Sequence, residues 1–171
     1  MPRKMPSTAL GLMVFVAGCT ASGAATATSR PTASLSQNDE ATCQGVNAQD
    51  LDVPQPARGF GLAWNETDDG ARMAILEEIW ADDATHVQPE MEERLVGREA
   101  FSEHIGAFHA NRPGEYFEWR DWQPSNLHHD RVLLPWRLCA ADGTTVLVGT
   151  DFGLIGPDGR LLETTGFYPP E

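Results

Sequence analysis

Apolar positions along the chain fall into three regimes. From Thr8 to Gly18 they form one short continuous run, and from Thr20 to Glu40 large apolar residues almost disappear among Ala, Ser and Thr. Beyond residue 55 they become periodic. Residues 55–66 suit a first helix, weakened by Gly59 and Gly61, and Thr67, Asp68 and Asp69 then supply capping oxygens. Ile75, Leu76, Ile79 and Trp80 recur at helical spacing and predict a helix over 71–81. A strand over 84–88 stops at Pro89. After a charged turn and Gly97, Phe101, Ile105 and Phe108 form the buried stripe of a helix over 98–111, ended by Pro113-Gly114. The second half reads as strands: 116–122, 131–138, 144–155 and 161–168, with turns at Ala141-Asp142-Gly143 and Pro157-Asp158-Gly159. In 131–138, Val132, Leu134, Trp136 and Leu138 share one face, while Pro135 argues for an edge or a bulge. Helices followed by hairpin-joined strands give an α+β domain without internal repeats.

The two N-terminal regimes read as targeting and tether. Arg3 and Lys4 precede an apolar run too short to span a bilayer but suited to a signal peptide. The run ends in Val16-Ala17-Gly18-Cys19, which resembles the bacterial lipobox, with Val16 where Leu is more usual. The resemblance implies a signal peptide over 1–18 and lipid modification of Cys19, with an ordinary secretory signal as the alternative. Residues 19–42 then form a flexible tether, since such a composition cannot bury enough surface to offset its ordering entropy. One domain, 43–171, remains. The expected place is the bacterial cell envelope, periplasm or cell surface, with membrane contact through the lipid on Cys19 only.

Charge narrows the partners. The chain carries a net charge of −13, and loss of Arg3 and Lys4 would leave −15 and no lysine. That balance sets nucleic acid aside. With Cys19 assigned to lipid, Cys43 and Cys139 are left as a candidate disulfide in an oxidising compartment, or as two independent thiols. No CxxC, phosphate loop or cofactor fingerprint is present, so no cofactor is expected. His128-His129-Asp130 is read as the polar start of a strand and not as a metal site, because neighbours on a strand point to opposite faces.

Several segments carry a family resemblance. Ala63-Trp64-Asn65-Glu66-Thr67, Trp80-Ala81-Asp82-Asp83-Ala84, Gly97-Arg98-Glu99, Gly149-Thr150-Asp151-Phe152, Asp158-Gly159-Arg160 and Thr165-Gly166-Phe167 occur in an order and spacing similar to SnoaL-like proteins of the NTF2-like superfamily. The resemblance implies a cone: a curved antiparallel sheet wrapped around two or three helices, with a deep apolar pocket. The superfamily holds ketosteroid isomerases, polyketide cyclases, epoxide hydrolases and non-catalytic binding domains, so fold alone leaves function open. Matched to the isomerases, whose base and oxyanion donors are a standard worked case, the base position falls on Gln88, which has no usable proton affinity. The tyrosine position falls on Trp64, and Asp151 alone matches.

Other groups supply candidate chemistry. If Gln88 faces the pocket, strand alternation brings His86 there, and His104 sits on the Phe101–Ile105–Phe108 stripe. Asp151 with His104 or His86 would suit proton transfer beside a carbonyl. A histidine on an apolar helical face such as His104 is more often a hydrogen-bonded core residue than a catalyst, and His86 could equally cap a strand. The parity of Asp151 decides its part: pointing inward, it leaves Val146, Val148 and Phe152 on an apolar outer face fit for a homodimer; pointing outward, it is a solvated carboxylate. Trp64, Trp80, Gln88, Phe101, Phe108, Trp119 and Trp136 are the candidate lining for a small apolar molecule. A ligand-binding or accessory module is the favoured expectation, with a cyclase- or isomerase-type enzyme as the alternative.

Overall fold

Pro54 leads the chain into α1 (Gln55–Asn65), with Pro56 in the first turn, where a missing N–H disturbs no helical bond. The computed structural model describes residues 42–44, 48–50, 52–120 and 124–169. The signal segment, Cys19 and all of the expected tether but Thr42 lie outside them. Helix α2 (Asp69–Ile79) opens where capping oxygens were expected: Asp68 Oδ1 accepts from the Ala71 N–H at 2.8 Å. It closes two residues before the periodicity predicts, because Trp80 and Ala81 already belong to β1 (Trp80–Val87). Trp80 pairs with Leu161 and is wholly buried, so sheet pairing overrides helix periodicity there. A two-residue strand β2 (Leu95–Val96) precedes α3 (Arg98–Asn111), which buries Phe101, Ser102 and Ile105.

The remaining strands are β3 (Tyr116–Trp119), β4 (Leu127–His128), β5 (Arg131–Cys139), β6 (Thr145–Ile155) and β7 (Leu161–Phe167). They form one open sheet in the order β2-β1-β7-β6-β5-β3, with β4 also paired to β5. Every pairing is antiparallel except β1 with β7, so the sheet is mixed. This is the expected α+β layout. The turn from β4 into β5 uses His129 and Asp130, both at positive φ (47° and 62°), the two-residue conformation that matches hairpin twist. His128, His129 and Asp130 are exposed, but they form the end of β4 and the turn and not a strand start, and the expectation that the histidines point to opposite faces is corrected: their Nδ1 atoms lie 3.4 Å apart across the turn. Pro135 sits mid-strand, and its carbonyl accepts from the Arg120 N–H at 2.8 Å, just beyond the end of β3. The N–H and C=O of one strand residue point the same way, so the missing donor falls in the gap between β3 and β4.

Two devices hold the layers together. Arg72 is 1% exposed and joins all three helices: Nη1 donates to the Glu66 carbonyl at 2.8 Å, Nε to Ser102 Oγ at 3.0 Å, and Nη2 to Asp69. A buried guanidinium persists only with such a set of acceptors. Cys43 and Cys139 form a disulfide with Cα atoms 6.1 Å apart, closing a sequence separation of 96. Around it, Thr42 bridges Thr144, the Cys43 N–H donates to the Gly143 carbonyl, and the Gln44 N–H donates to Glu118 Oε2 at 2.8 Å. Cys43, Cys139 and Glu118 are the one gathering of metal-ligand side chains among the described residues, and its two sulfurs are spent on each other. No helix among the described residues is long and apolar enough to cross a membrane.

Candidate active site in the cone

The concave side of the sheet is half filled and half hollow. The filled half is an aromatic stack: Phe60 from α1, Trp80 from β1 and Phe101 from α3 lie nearly parallel, with Trp80 and Phe101 centroids 4.5 Å apart. Trp64 stands edge-on to Phe60, Phe101, Phe108 and Phe117, and its Nε1 is sealed without a partner. Beyond Trp64 lies a cavity of about 430 Å³, within the range of small-molecule sites. Phe108, Phe117, Trp119, Leu134 and Trp136 supply its apolar wall, and Gln88, Glu90, His104, Asn111, Arg112, Glu118, Asp151 and Tyr168 its polar groups.

Asp151 points inward. It is 6% exposed, whereas Val146 and Val148 on alternate positions of β6 are 42% and 37% exposed. The inner face of β6 around it is bare: Gly149, Asp151 and Gly153 alternate inward, and across the pairing with β7 stands Gly166. These glycines are required by close approach. A Cβ at Gly149 would strike the Trp136 ring, one at Gly153 would lie 2.8 Å from Val132 Cγ1, and one at Gly166 would lie 3.0 Å from Asp151 Oδ1. The carboxyl thus lies on exposed backbone between Trp136 and Tyr168. Burial pushes its pKa up from 3.8 to about 7, partly opposed by a hydrogen bond from Trp136. At neutral pH a large share of Asp151 is therefore an uncharged acid able to donate.

His104 also lines the cavity, as its place on the α3 stripe predicts. Burial lowers its pKa and nearby Glu90 raises it, and the first effect is larger, so it is neutral at pH 7. No hydrogen bond among the described residues joins it to Asp151; the two share the cavity and leave room between them for a ligand. His86 stands apart. It is 1% exposed, off the cavity wall, bonded through Nδ1 to Thr164 Oγ1 at 2.8 Å and through Nε2 to Gln88 Oε1 at 3.2 Å. Burial lowers its pKa from 6.5 to about 4. The expectation that His86 lines the pocket is corrected: rings of Phe60 and Phe101 pack against it, and it meets the cavity wall from behind, through Gln88 and through its ring contacts with Trp64 and His104. Trp80 and Phe101 are corrected in the same way, being stack members behind the wall. Trp64, Gln88, Phe108, Trp119 and Trp136 do line it.

Several wall residues escape the sequence reading, Glu90 and Tyr168 among them. They come from the loops after β1 and after β7, and the Tyr168 hydroxyl donates to Glu90 Oε2 at 2.6 Å. The triplets Gln88-Pro89-Glu90 and Gly166-Phe167-Tyr168 carry a usable signal: each wall residue follows an inward position by two residues.

Comparison with solved structures places this fold among known ones. A protein assigned as an isomerase of the SnoaL-like family from Agrobacterium tumefaciens C58 superposes with a TM-score of 0.62 at 28% identity, over 67% of this chain and 95% of that one. A protein assigned as a SnoaL-like polyketide cyclase from Jannaschia sp. CCS1 does so with a TM-score of 0.52 at 12% identity, covering 67% and 85%. A protein with a ketosteroid isomerase-like fold from Catenulispora acidiphila, in complex with trimethylamine, gives 0.54 at 15% identity, covering 68% and 86%. No protein-family model matches the chain, and no curated protein does.

The two shifted groups make stability depend on pH in opposite senses. Folded Asp151 keeps its proton to about pH 7 while the unfolded chain releases it near 3.8, so folding weakens as pH rises between those values and the loss is complete above 7. Folded His86 stays neutral to about pH 4 while the unfolded ring protonates below 6.5, so folding weakens as pH falls through that window. Asp151→Asn removes the first effect alone. Its stability relative to wild type should rise by about 4 kcal/mol between pH 3.5 and pH 7.5 in urea titrations. A difference that stays flat over that range would show that Asp151 is not held uncharged.

Proposed function

We propose that the cone of this chain, whose fold is that of SnoaL-like and NTF2-like proteins, binds one small, mostly apolar molecule bearing a carbonyl-type oxygen, with Asp151 as the polar anchor. The observation that carries this reading is the Asp151 carboxyl, nine-tenths buried on bare glycine backbone inside an aromatic cavity of about 430 Å³. Apolar walls supply the free energy of binding, and a buried acid that keeps its proton donates to an oxygen without burying a charge. 1-Tetralone is a suitable probe, followed by quenching of tryptophan fluorescence. Its affinity should fall about tenfold as pH rises from 6 to 8.5, since ionised Asp151 loses the donor. In Asp151→Asn, which always has a donor, the affinity should be flat with pH. Equal pH dependence in both proteins would remove Asp151 from the binding site.

A second reading is favoured by one further observation, the neutral His104 in the same cavity. An imidazole there accepts a proton from the carbon beside a carbonyl while Asp151 donates to the oxygen, the proton transfer of a cyclase or isomerase. The reaction has a direct readout: exchange of the tetralone C2 protons for deuterium in D₂O. Catalysed exchange that His104→Ala lowers at least a hundredfold would make the domain an enzyme. Exchange at the rate of buffer alone would leave it a binding module.

Export and assembly follow the sequence. We propose lipid attachment at Cys19, so that Cys19→Ser should move the protein from the membrane fraction to the soluble one, and unchanged fractionation would exclude the anchor. The outer face of the sheet carries Leu133, Val146, Val148 and Phe167 exposed at 45%, 42%, 37% and 60%, an apolar surface suited to a second copy of the chain. Sedimentation at micromolar concentration should give a dimer that Leu133→Glu dissociates; a monomeric wild type would refute it.

A further inference from the structure

Gln88 occupies a position where a base would serve proton transfer, and its surroundings give it another task. Its Oε1 is 3.2 Å from His86 Nε2. An amide oxygen only accepts, so His86 must carry its proton on Nε2. The ring is neutral, held so by burial among Phe60, Trp64 and Phe101, and has no second proton. Its Nδ1 therefore accepts, and the hydroxyl of wholly buried Thr164, 2.8 Å away, donates. The chain of bonds runs Thr164 to His86 to Gln88 and fixes which end of the carboxamide faces the sheet. The other end, the NH₂ group, finds no partner among the described residues, and the Gln88 side chain lines the cavity.

The sheet sets this donor opposite Asp151. Gln88 follows β1, Gly166 lies on β7 and Asp151 on β6, side by side on the concave face. Gly166 lets the two polar side chains close in on its backbone: a Cβ built there would sit 3.0 Å from Asp151 Oδ1, 3.2 Å from Tyr168 Cε1 and 3.3 Å from Gln88 Cβ, and Gln88 and Asp151 both reach the cavity beyond it. Resting on the binding function argued above, we propose that Gln88 and Asp151 form a two-point seat for one carbonyl oxygen in the cavity they both line, with His86 and Thr164 as positioning residues that aim the Gln88 amide. The seat selects ketones, aldehydes, esters and similar acceptors over hydrocarbons of the same shape. It also explains a wholly buried histidine that touches no ligand.

Two probes of equal shape separate this proposal from the broader one: 1-tetralone and tetralin, which lacks the oxygen. Wild type should bind the ketone at least roughly tenfold more tightly than the hydrocarbon. The carbonyl stretch of ¹³C-labelled tetralone should shift to lower frequency on binding. His86→Phe keeps the ring volume and Gln88→Met keeps the side-chain length; each should lose the preference and reduce the stretch shift while tetralin affinity stays put. The double variant should be no worse than Gln88→Met, since His86 acts through Gln88. ¹⁵N shifts of wild-type His86 should show the proton on Nε2. A proton on Nδ1 would turn the amide oxygen to the cavity and overturn the proposal, as would a His86→Phe variant that weakens both probes alike. If neither probe binds wild type, the pocket function has failed, and the ¹⁵N assignment alone then decides the relay.

Discussion

The rest of the structure depends on Trp64. It stands edge-on between α1, α3 and β3, and it divides a cone that would otherwise collapse into one core or flood. On one side Phe60, Trp80 and Phe101 stack at van der Waals density; on the other the wall opens into the cavity. A side chain of that size, packed by its edges, is rigid because every rotation would drive it into a ring. Neighbouring Asn65 fixes the helix end that carries it. Its amide exchanges two hydrogen bonds, of 2.7 and 2.8 Å, with the backbone of Phe117 and so gives the edge strand β3 the partner it lacks. The indole N–H of Trp64 is buried and finds no partner among the described residues.

With that wall fixed, the polar groups divide by their surroundings. Glu90 and Tyr168 pair at an exposed position and set the rim. Asp151 lies deep, where desolvation favours its neutral form, and His86 lies deeper still, where the same force removes its charge. One physical cause thus yields an acid that keeps its proton and a base that refuses one. Both groups therefore carry less charge at neutral pH than an ordinary aspartate and histidine, while the charge of the cavity wall is supplied by Glu90, Arg112 and Glu118.

How far the sequence reveals this varies with the element. The helix over 98–111 is legible because Phe101 and Ile105 obey its period and are buried, and the Cys43–Cys139 pair because only two cysteines remain once Cys19 is set aside as the expected lipid site. Strand β6 reads the wrong way round on hydrophobicity alone. Its more apolar positions, Val146, Val148 and Phe152, face out, and its inner positions are Leu147, Gly149, Asp151 and Gly153. The inversion has a cause: the inner face has given up side chains so that Trp136, Val132 and the cavity can occupy the space. A strand whose inward row is glycine and one acid is the mark of a hollow core, and it can be read only once the parity is known. The placing of His86 behind Gln88 was illegible for a related reason. Alternation tells which face a residue takes and not what stands in front of it.

Keeping the acid uncharged has a cost in stability, and the domain carries a covalent device of similar size. Above pH 7 an ionised Asp151 lowers stability by about 4 kcal/mol relative to a carboxyl of ordinary pKa. A disulfide that closes a loop near 100 residues removes roughly 4–5 kcal/mol of chain entropy from the unfolded state, and Cys43–Cys139 spans 96 positions. The bridge lies at the N-terminal edge, joined to Thr42, Gly143 and Glu118 and not to the Asp151 notch. It therefore stabilises the fold without constraining the site. A domain of this length, with a cavity in place of part of its core, can hold a buried carboxyl because the compensation comes from the unfolded chain. No extra packing inside the cone is needed, and extra packing there would fill the space the ligand takes.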